Sequence, residues 1–144
     1  MLESAMEPLK AQAEAIEIDL RLECTDVPKN ANIDGEKIAW AVTTLVGNAF
    51  RFVKHGTRLH PGGSIHVRLH GDRDAIAIDV QDDGPGIPKD KLPQLFERAK
   101  DGVHAAGLAL LLIHDVIVAH GGTIDVTSAR GHDHGTLVHM RIPT

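Results

Sequence analysis

Three short runs in this sequence hold residues whose types and spacing could do chemistry. The first is Asp82-Asp83-Gly84-Pro85-Gly86-Ile87-Pro88, which follows directly on the alternating run Ile78-Asp79-Val80. Glycines let a backbone turn tightly and approach a ligand. A carboxylate beside such a turn can accept a hydrogen bond from an amino group held in a concave pocket. The same residues suit an acidic surface turn equally well. The second run is Gly47-Asn48-Ala49-Phe50-Arg51-Phe52. Here Asn48 offers a hard amide oxygen to a cation, and Arg51, one helical turn after Gly47, offers a fork of donors to phosphates. Taken alone, each reads more readily as a solvated helix residue. The third run is Ala105-Ala106-Gly107-Leu108-Ala109-Leu110. Small residues leading into a helix leave unpaired N–H groups and the positive end of the helix dipole facing an anion, or simply permit close packing of a buried helix start.

These runs need elements to hold them, and periodicity supplies the elements. Residues Leu2 to Glu14 predict a helix with Met6, Leu9 and Ala13 on one side and Pro8 as an irregularity. Ile16 to Cys24 alternates, with Ile16, Ile18, Leu20, Leu22 and Cys24 on one face, and predicts a half-buried strand. Glu36 to Lys54 changes to helical spacing, with Ile38, Val42, Leu45, Ala49 and Phe52 or Val53 as its apolar stripe. Ser64 to His70 and Ala75 to Gln81 predict a hairpin around Gly71-Asp72-Arg73. Lys89 to Glu97 suits a short helix, and Gly107 to Ala119 a longer one ended by His120-Gly121-Gly122. Thr123 to Ser128 and Thr136 to Ile142 complete the set. The order predicts an α/β sandwich, a mixed β-sheet covered on one face by helices, in one domain spanning residues 1–144.

Composition narrows the function. A formal net charge of −5 opposes nucleic-acid binding, since phosphate backbones demand basic surface. A single cysteine, Cys24, excludes an intrachain disulfide framework. No apolar run approaches the roughly 20 residues of a membrane span, and the N-terminal residues do not have the pattern of a signal peptide. The expectation is a domain without direct membrane contact.

In order and spacing, the three runs together resemble the catalytic ATP-binding domain of sensor histidine kinases, part of the wider group that shares its ATP pocket with gyrase, Hsp90-type chaperones and MutL-type repair proteins. Ile33 to Ile38 is similar to the lead-in to the first motif helix. Thr44 to Phe52 resembles the N box, with Asn48 at its magnesium-binding asparagine. Pro61-Gly62-Gly63 matches the turn before the hairpin. Asp82 to Gly86 resembles the D-x-G-x-G box, with Asp82 where the family aspartate holds the adenine amino group. Leu95-Phe96-Glu97-Arg98 resembles the F box, Gly107 to Leu110 the second glycine box, and His120 to Ile124 and Gly135 to Pro143 the closing strands.

The resemblance implies ATP and Mg2+ as cofactors, and a cytoplasmic location with a parent protein that could be membrane-anchored. It implies transfer of the ATP gamma-phosphoryl to a histidine on a separate phosphoacceptor and dimerisation domain, with a response regulator downstream. In that account Asn48 holds magnesium. Arg51, with Arg98 or Lys100, neutralises phosphate charge, and backbone near Gly107 and Leu108 cradles it. Phe52, Gly84, Gly86, Ile87 and Thr136 complete the nucleotide contacts. The sequence departs from the family pattern at Thr44 in the N box, at Ala99 in the F box, at Ala105 and Ala109 where glycines are usual, and in a short lid from Glu97 to Ala106. These departures predict weak nucleotide binding and little phosphotransfer by this chain alone. They also keep two alternatives open: a serine/threonine kinase of the anti-sigma-factor type, and a non-catalytic binding module of the same fold. The ten histidines are scattered. His120 reads as a helix cap and His139 as a solvated strand residue. His132-Asp133-His134 has too few ligands in its pattern to predict a zinc site.

Overall fold

The computed structural model describes residues 2–25, 35–53, 56, 62–72, 74–84, 108–129 and 134–143; for 2–5, 35, 48, 51, 52, 108–110 and 129 it describes the backbone alone. The elements run α1 (Leu2–Ala15), β1 (Asp19–Thr25), α2 (Gly35–Phe52), β2 (Ser64–Gly71), β3 (Ala75–Asp82), α3 (Leu108–Ala119), β4 (Thr123–Ala129) and β5 (Gly135–Pro143). The predicted short helix at Lys89 to Glu97 lies outside the described residues.

All five strands form one sheet in the order β1-β2-β3-β5-β4. β1 pairs parallel with β2, and the other three pairings are antiparallel, so the sheet is mixed. The two-residue period sorts its side chains into rows that cross the strands on the helix-covered face. One row is Leu69, Ile78, Met140 and Ile124, and the next is Val67, Val80, Val138 and Val126. Apart from Val126, which is partly buried, these side chains are all within the core. The helices close over them. α2 offers Ile38, Val42, Leu45 and Ala49, with Val53 directly after its end, all buried, as the spacing predicts, and α3 adds Leu111, Ile113 and Ile117. α1 packs on α2 and β1 through Met6 and Ala13.

Two sequence expectations need correction. The first strand does not begin at Ile16. The chain turns at Ile16 and Glu17 before β1 starts at Asp19, and Glu17 sits in the left-handed region at φ 56°. Its hydrogen bonds explain the turn: Ile18 N–H donates to Ala13 O at 3.0 Å, and Gly62 N–H donates to Glu17 O at 3.1 Å. An alternating sequence cannot distinguish this reversal from an extra strand residue. Cys24 has the inward parity but is exposed, near the end of an edge strand.

The end of α3 follows the expected glycine cap. Gly121 has φ 75°. Its N–H donates to Val118 O and that of Gly122 to Ile117 O, both at 2.9 Å, which is the Schellman pattern. His120 closes the same turn, with Nδ1 2.8 Å from Val116 O. No helix among the described residues is long and apolar enough to cross a membrane.

Candidate functional site

The apolar rows end abruptly. Beyond the valine row, the covered face continues as Leu20, Ile65, Asp82, Thr136 and Ser128, opposite one another across the five strands. Polarity therefore switches within a single row, and the switch falls on β3, β5 and β4. Asp82 is the last residue of β3 and is partly buried. Its Oδ1 accepts the Gly84 N–H at 2.9 Å, closing an Asx turn on the chain that leaves the strand. Burial pushes the Asp82 carboxyl above the ordinary carboxylate range. The Gly84 N–H opposes that rise, the neighbouring Asp83 charge adds to it, and the Thr136 backbone opposes it. A carboxylate held partly out of water, with one oxygen fixed by its own turn, is a directed acceptor for an amino group. Ser128 Oγ donates to Gly135 O at 3.1 Å and lies 3.1 Å from Thr136 Oγ1, so the polar end of the row is itself hydrogen-bonded.

Two residues that sequence reasoning passed over hold the turn in place. Asp83 Oδ1 accepts the Ser64 N–H at 2.9 Å, its Oδ2 accepts the Ser64 hydroxyl at 3.3 Å, and Asp83 N–H donates back to Ser64 O at 3.3 Å. His134, just before β5, places Nδ1 2.6 Å from Gly84 O. Asp83 could have been suspected from its place inside the D-x-G run. His134 gave no signal beyond a metal-like pattern, because its partner lies 50 residues away.

The other predicted contacts divide by what is described. Asn48, Arg51 and Phe52 lie in the last turns of α2, where the backbone alone is described. That end of α2 reaches the same edge of the sheet as Asp82: a Cβ on Gly63 would lie 2.4 Å from Val53 Cγ1 and 2.4 Å from Asp83 Oδ1. Leu108 begins α3. The helix joins β4 through His120, Gly121 and Gly122 and packs back over that strand. Its 12 residues span about 18 Å, so its N-terminus lies toward the Asp82 end of the sheet. Gly84 is buried in the Asp82 turn. Gly86, Ile87, Arg98, Lys100 and Gly107 lie outside the described residues, as do Ala105, the short lid, His132 and Asp133.

The opposite face of the sheet is polar, and it corrects one expectation. His139 is not simply solvated: its Nδ1 pairs with Asp79 Oδ1 on β3. Across this face Glu23, Arg68, Asp79, His139 and Asp125 stand in one row of alternating character. A cavity of about 410 Å³ opens on this side of the sheet end, lined by Ser64, His66, Gln81, Thr127 and Leu137 as well as by Asp82 and Asp83. α2 and α3 pack on the other side of the sheet.

Residues 33–144 match the family described as histidine kinase-, DNA gyrase B-, and HSP90-like ATPase. The alginate biosynthesis sensor protein KinB of Pseudomonas aeruginosa is 32% identical over 149 aligned residues, covering 99% of the chain and 23% of that protein. The histidine-protein kinase/phosphatase MprB of Mycolicibacterium smegmatis is 36% identical, covering 76% of the chain and 23% of that protein. The chain thus spans about a quarter of the length of these curated relatives. Among solved structures, a mycobacterial sensor histidine kinase MprB aligns with a TM-score of 0.75 at 25% identity, covering 99% of this chain and 92% of that one. The catalytic domain of histidine kinase ThkA in a nucleotide-free form aligns with a TM-score of 0.77 at 22% identity, covering 99% of this chain and 88% of that one.

Proposed function

Because the chain belongs to the family of histidine kinase-, DNA gyrase B-, and HSP90-like ATPases, we propose that it is the nucleotide-binding catalytic domain of a two-component sensor histidine kinase. One observation carries the site assignment. Asp82 is a partly buried carboxylate at the point where its row switches from apolar to polar, with Oδ1 fixed by the Gly84 N–H. In this reading its other oxygen accepts the adenine N6 hydrogen bond, and the base lies at the polar end of the sheet, beyond the packed apolar rows. Thr136, Gly84, Gly86, Ile87 and Phe52 would supply the remaining contacts to the base. Guanine presents an oxygen where adenine presents the amino group, so an unmade bond at Asp82 disfavours it by about 1–3 kcal/mol.

The phosphates then extend toward the end of α2 and the start of α3. Arg51, with Arg98 or Lys100, neutralises their charge, and backbone N–H groups near Gly107 and Leu108 take the helix-terminus role. Asn48 supplies a hard oxygen of the kind Mg2+ takes, on the helix end that meets Gly63 and Asp83. Bound there, the ion would screen phosphate charge. The chain's own contribution is to position and neutralise; the γ-phosphoryl leaves the β-phosphate oxygen of ATP and bonds to an imidazole nitrogen of a histidine on another domain. A response regulator would receive it next, and the domain would work in the cytoplasm. The relatives reported above are by name a signal transduction histidine-protein kinase/phosphatase and a sensor protein, which favours this reading over the anti-sigma-factor type of kinase.

The test is calorimetric titration of the chain with ADP and with a non-hydrolysable ATP analogue, with and without magnesium. Asp82→Ala should abolish most binding, and Asn48→Ala should remove the magnesium dependence. Unchanged ADP affinity in Asp82→Ala would refute the assignment of the base site. Restoring Ala105→Gly and Ala109→Gly together should tighten binding about ten- to hundredfold if the missing glycines weaken it, at about 1.4 kcal/mol per tenfold.

A further inference from the structure

We propose that His134 is a positioning residue for nucleotide recognition, holding the Asp82 turn in its adenine-selective geometry. The inference rests on the adenine reading of Asp82. Gly84 is held from two directions. Its N–H donates to Asp82 Oδ1 at 2.9 Å, and its carbonyl lies 2.6 Å from His134 Nδ1. A carbonyl only accepts, so Nδ1 carries the proton and donates. His134 is exposed and stands immediately before β5. The next residue, Gly135, packs so closely that a Cβ on it would lie 2.4 Å from Asp82 O. β5 thus grips the turn at two adjacent points, through the backbone contact at Gly135 and the side-chain bond at His134.

On the opposite side, Asp83 ties the same turn to the start of β2 through Ser64. With both ties present, the three residues Asp82, Asp83 and Gly84 are fixed between two strands that are not neighbours in the sheet. Without His134, the Gly84 carbonyl loses its tie to β5, and Gly84 is held only through its bond to Asp82 and through the Asp83–Ser64 tie. The Gly84 N–H that fixes Oδ1 is then held from one side only, while the core beneath it stays packed. The effect falls on ligand selectivity rather than on fold stability.

The experiment measures ADP and GDP dissociation constants and thermal melting of the whole chain for the parent, His134→Ala, His134→Asn and Asp82→Ala. Asn places an amide N–H close to where Nδ1–H stands, so it is the conservative rescue. The expected result is a three- to tenfold weakening of ADP binding in His134→Ala, about the scale of one hydrogen bond. The ADP-over-GDP preference should fall, melting should stay unchanged, and His134→Asn should restore the parent values. If His134→Ala binds ADP and discriminates GDP like the parent while Asp82→Ala loses binding, the positioning role is wrong and the adenine reading stands. If Asp82→Ala binds ADP like the parent, the adenine reading itself fails and takes this inference with it. A loss in His134→Ala that His134→Asn does not repair, or that tracks a lower melting temperature, overturns the hydrogen-bond argument.

Discussion

At the scale of single residues, the site asks Asp82 to do something the fold resists. Its carboxyl is pushed up chiefly by burial, so folding favours the protonated form. A group with a raised folded pKa contributes stability that is fully present below its unfolded value and lost as pH rises through its folded value. At neutral pH the charge is therefore a cost to the empty domain. Asp82→Asn keeps an acceptor for the Gly84 N–H and removes that charge. The nucleotide-free variant should melt higher than the parent at pH 7, and the gap should close as both are taken down toward pH 4. In calorimetry the same variant should bind ADP more weakly. A variant that melts lower at pH 7 would show that the carboxylate's hydrogen bonds outweigh its desolvation. Asp82 was legible in the sequence because the D-x-G-x-G spacing marks it. His134 and the His139–Asp79 pair were not, because each depends on which strand end or strand face meets another, and a sequence does not print those meetings.

At the scale of elements, two left-handed residues make opposite predictions. Glu17 holds φ 56° between α1 and β1, a conformation that costs a side-chain-bearing residue about 1–2 kcal/mol. Glu17→Gly relieves that cost and gives part of it back as unfolded-chain entropy. Its denaturant midpoint should rise by an amount worth up to about 1 kcal/mol. Gly121 holds φ 75° at the end of α3 with nothing within 4 Å of a Cβ built on it. Gly121→Ala should destabilise by about 1–2 kcal/mol from backbone strain alone; a neutral result in chemical denaturation would mean the cap readjusts. The Gly121 cap was readable, since His-Gly-Gly after an apolar helical run is a stop signal. The Glu17 reversal was not, since Ile16 and Ile18 keep the alternation going through it. At the hairpin turn, the Asp72 carboxyl is shifted in the opposite direction to that of Asp82. The N–H groups of Asp74 and Ala75, and then Arg141, hold its carboxyl below the usual range. Its contribution is present above the unfolded value and fades as pH falls through the folded one.

At the scale of the whole molecule, alternation told which face of each strand is covered, but it did not tell which strands are neighbours. The order β1-β2-β3-β5-β4 places the last strand inside the sheet, and that placement brings Thr136 beside Asp82. Neither the position of β5 nor the row it completes follows from local spacing. Since the proposed nucleotide binds only the finished arrangement, saturating it should raise the unfolding free energy by about 2.7 kcal/mol at a hundredfold excess over Kd. Thermal melts with ADP should show that rise in the parent and almost none in Asp82→Ala.

The pairing of β3 with β5 also has a consequence in time. β2 with β3 and β4 with β5 are hairpins that close over short stretches of chain. The join between them, β3 against β5, brings Asp82 to Thr136 across the chain that contains α3. Loop closure over such a distance is slow and comes after local pairing. A chain with both hairpins made and the seam still open has an Asp82 but no site. Nucleotide would then stabilise only what forms after the rate-limiting seam, slowing unfolding while leaving the refolding rate nearly unchanged. Stopped-flow refolding that accelerates with ADP would instead place the seam early, with the site assembled before the barrier is crossed.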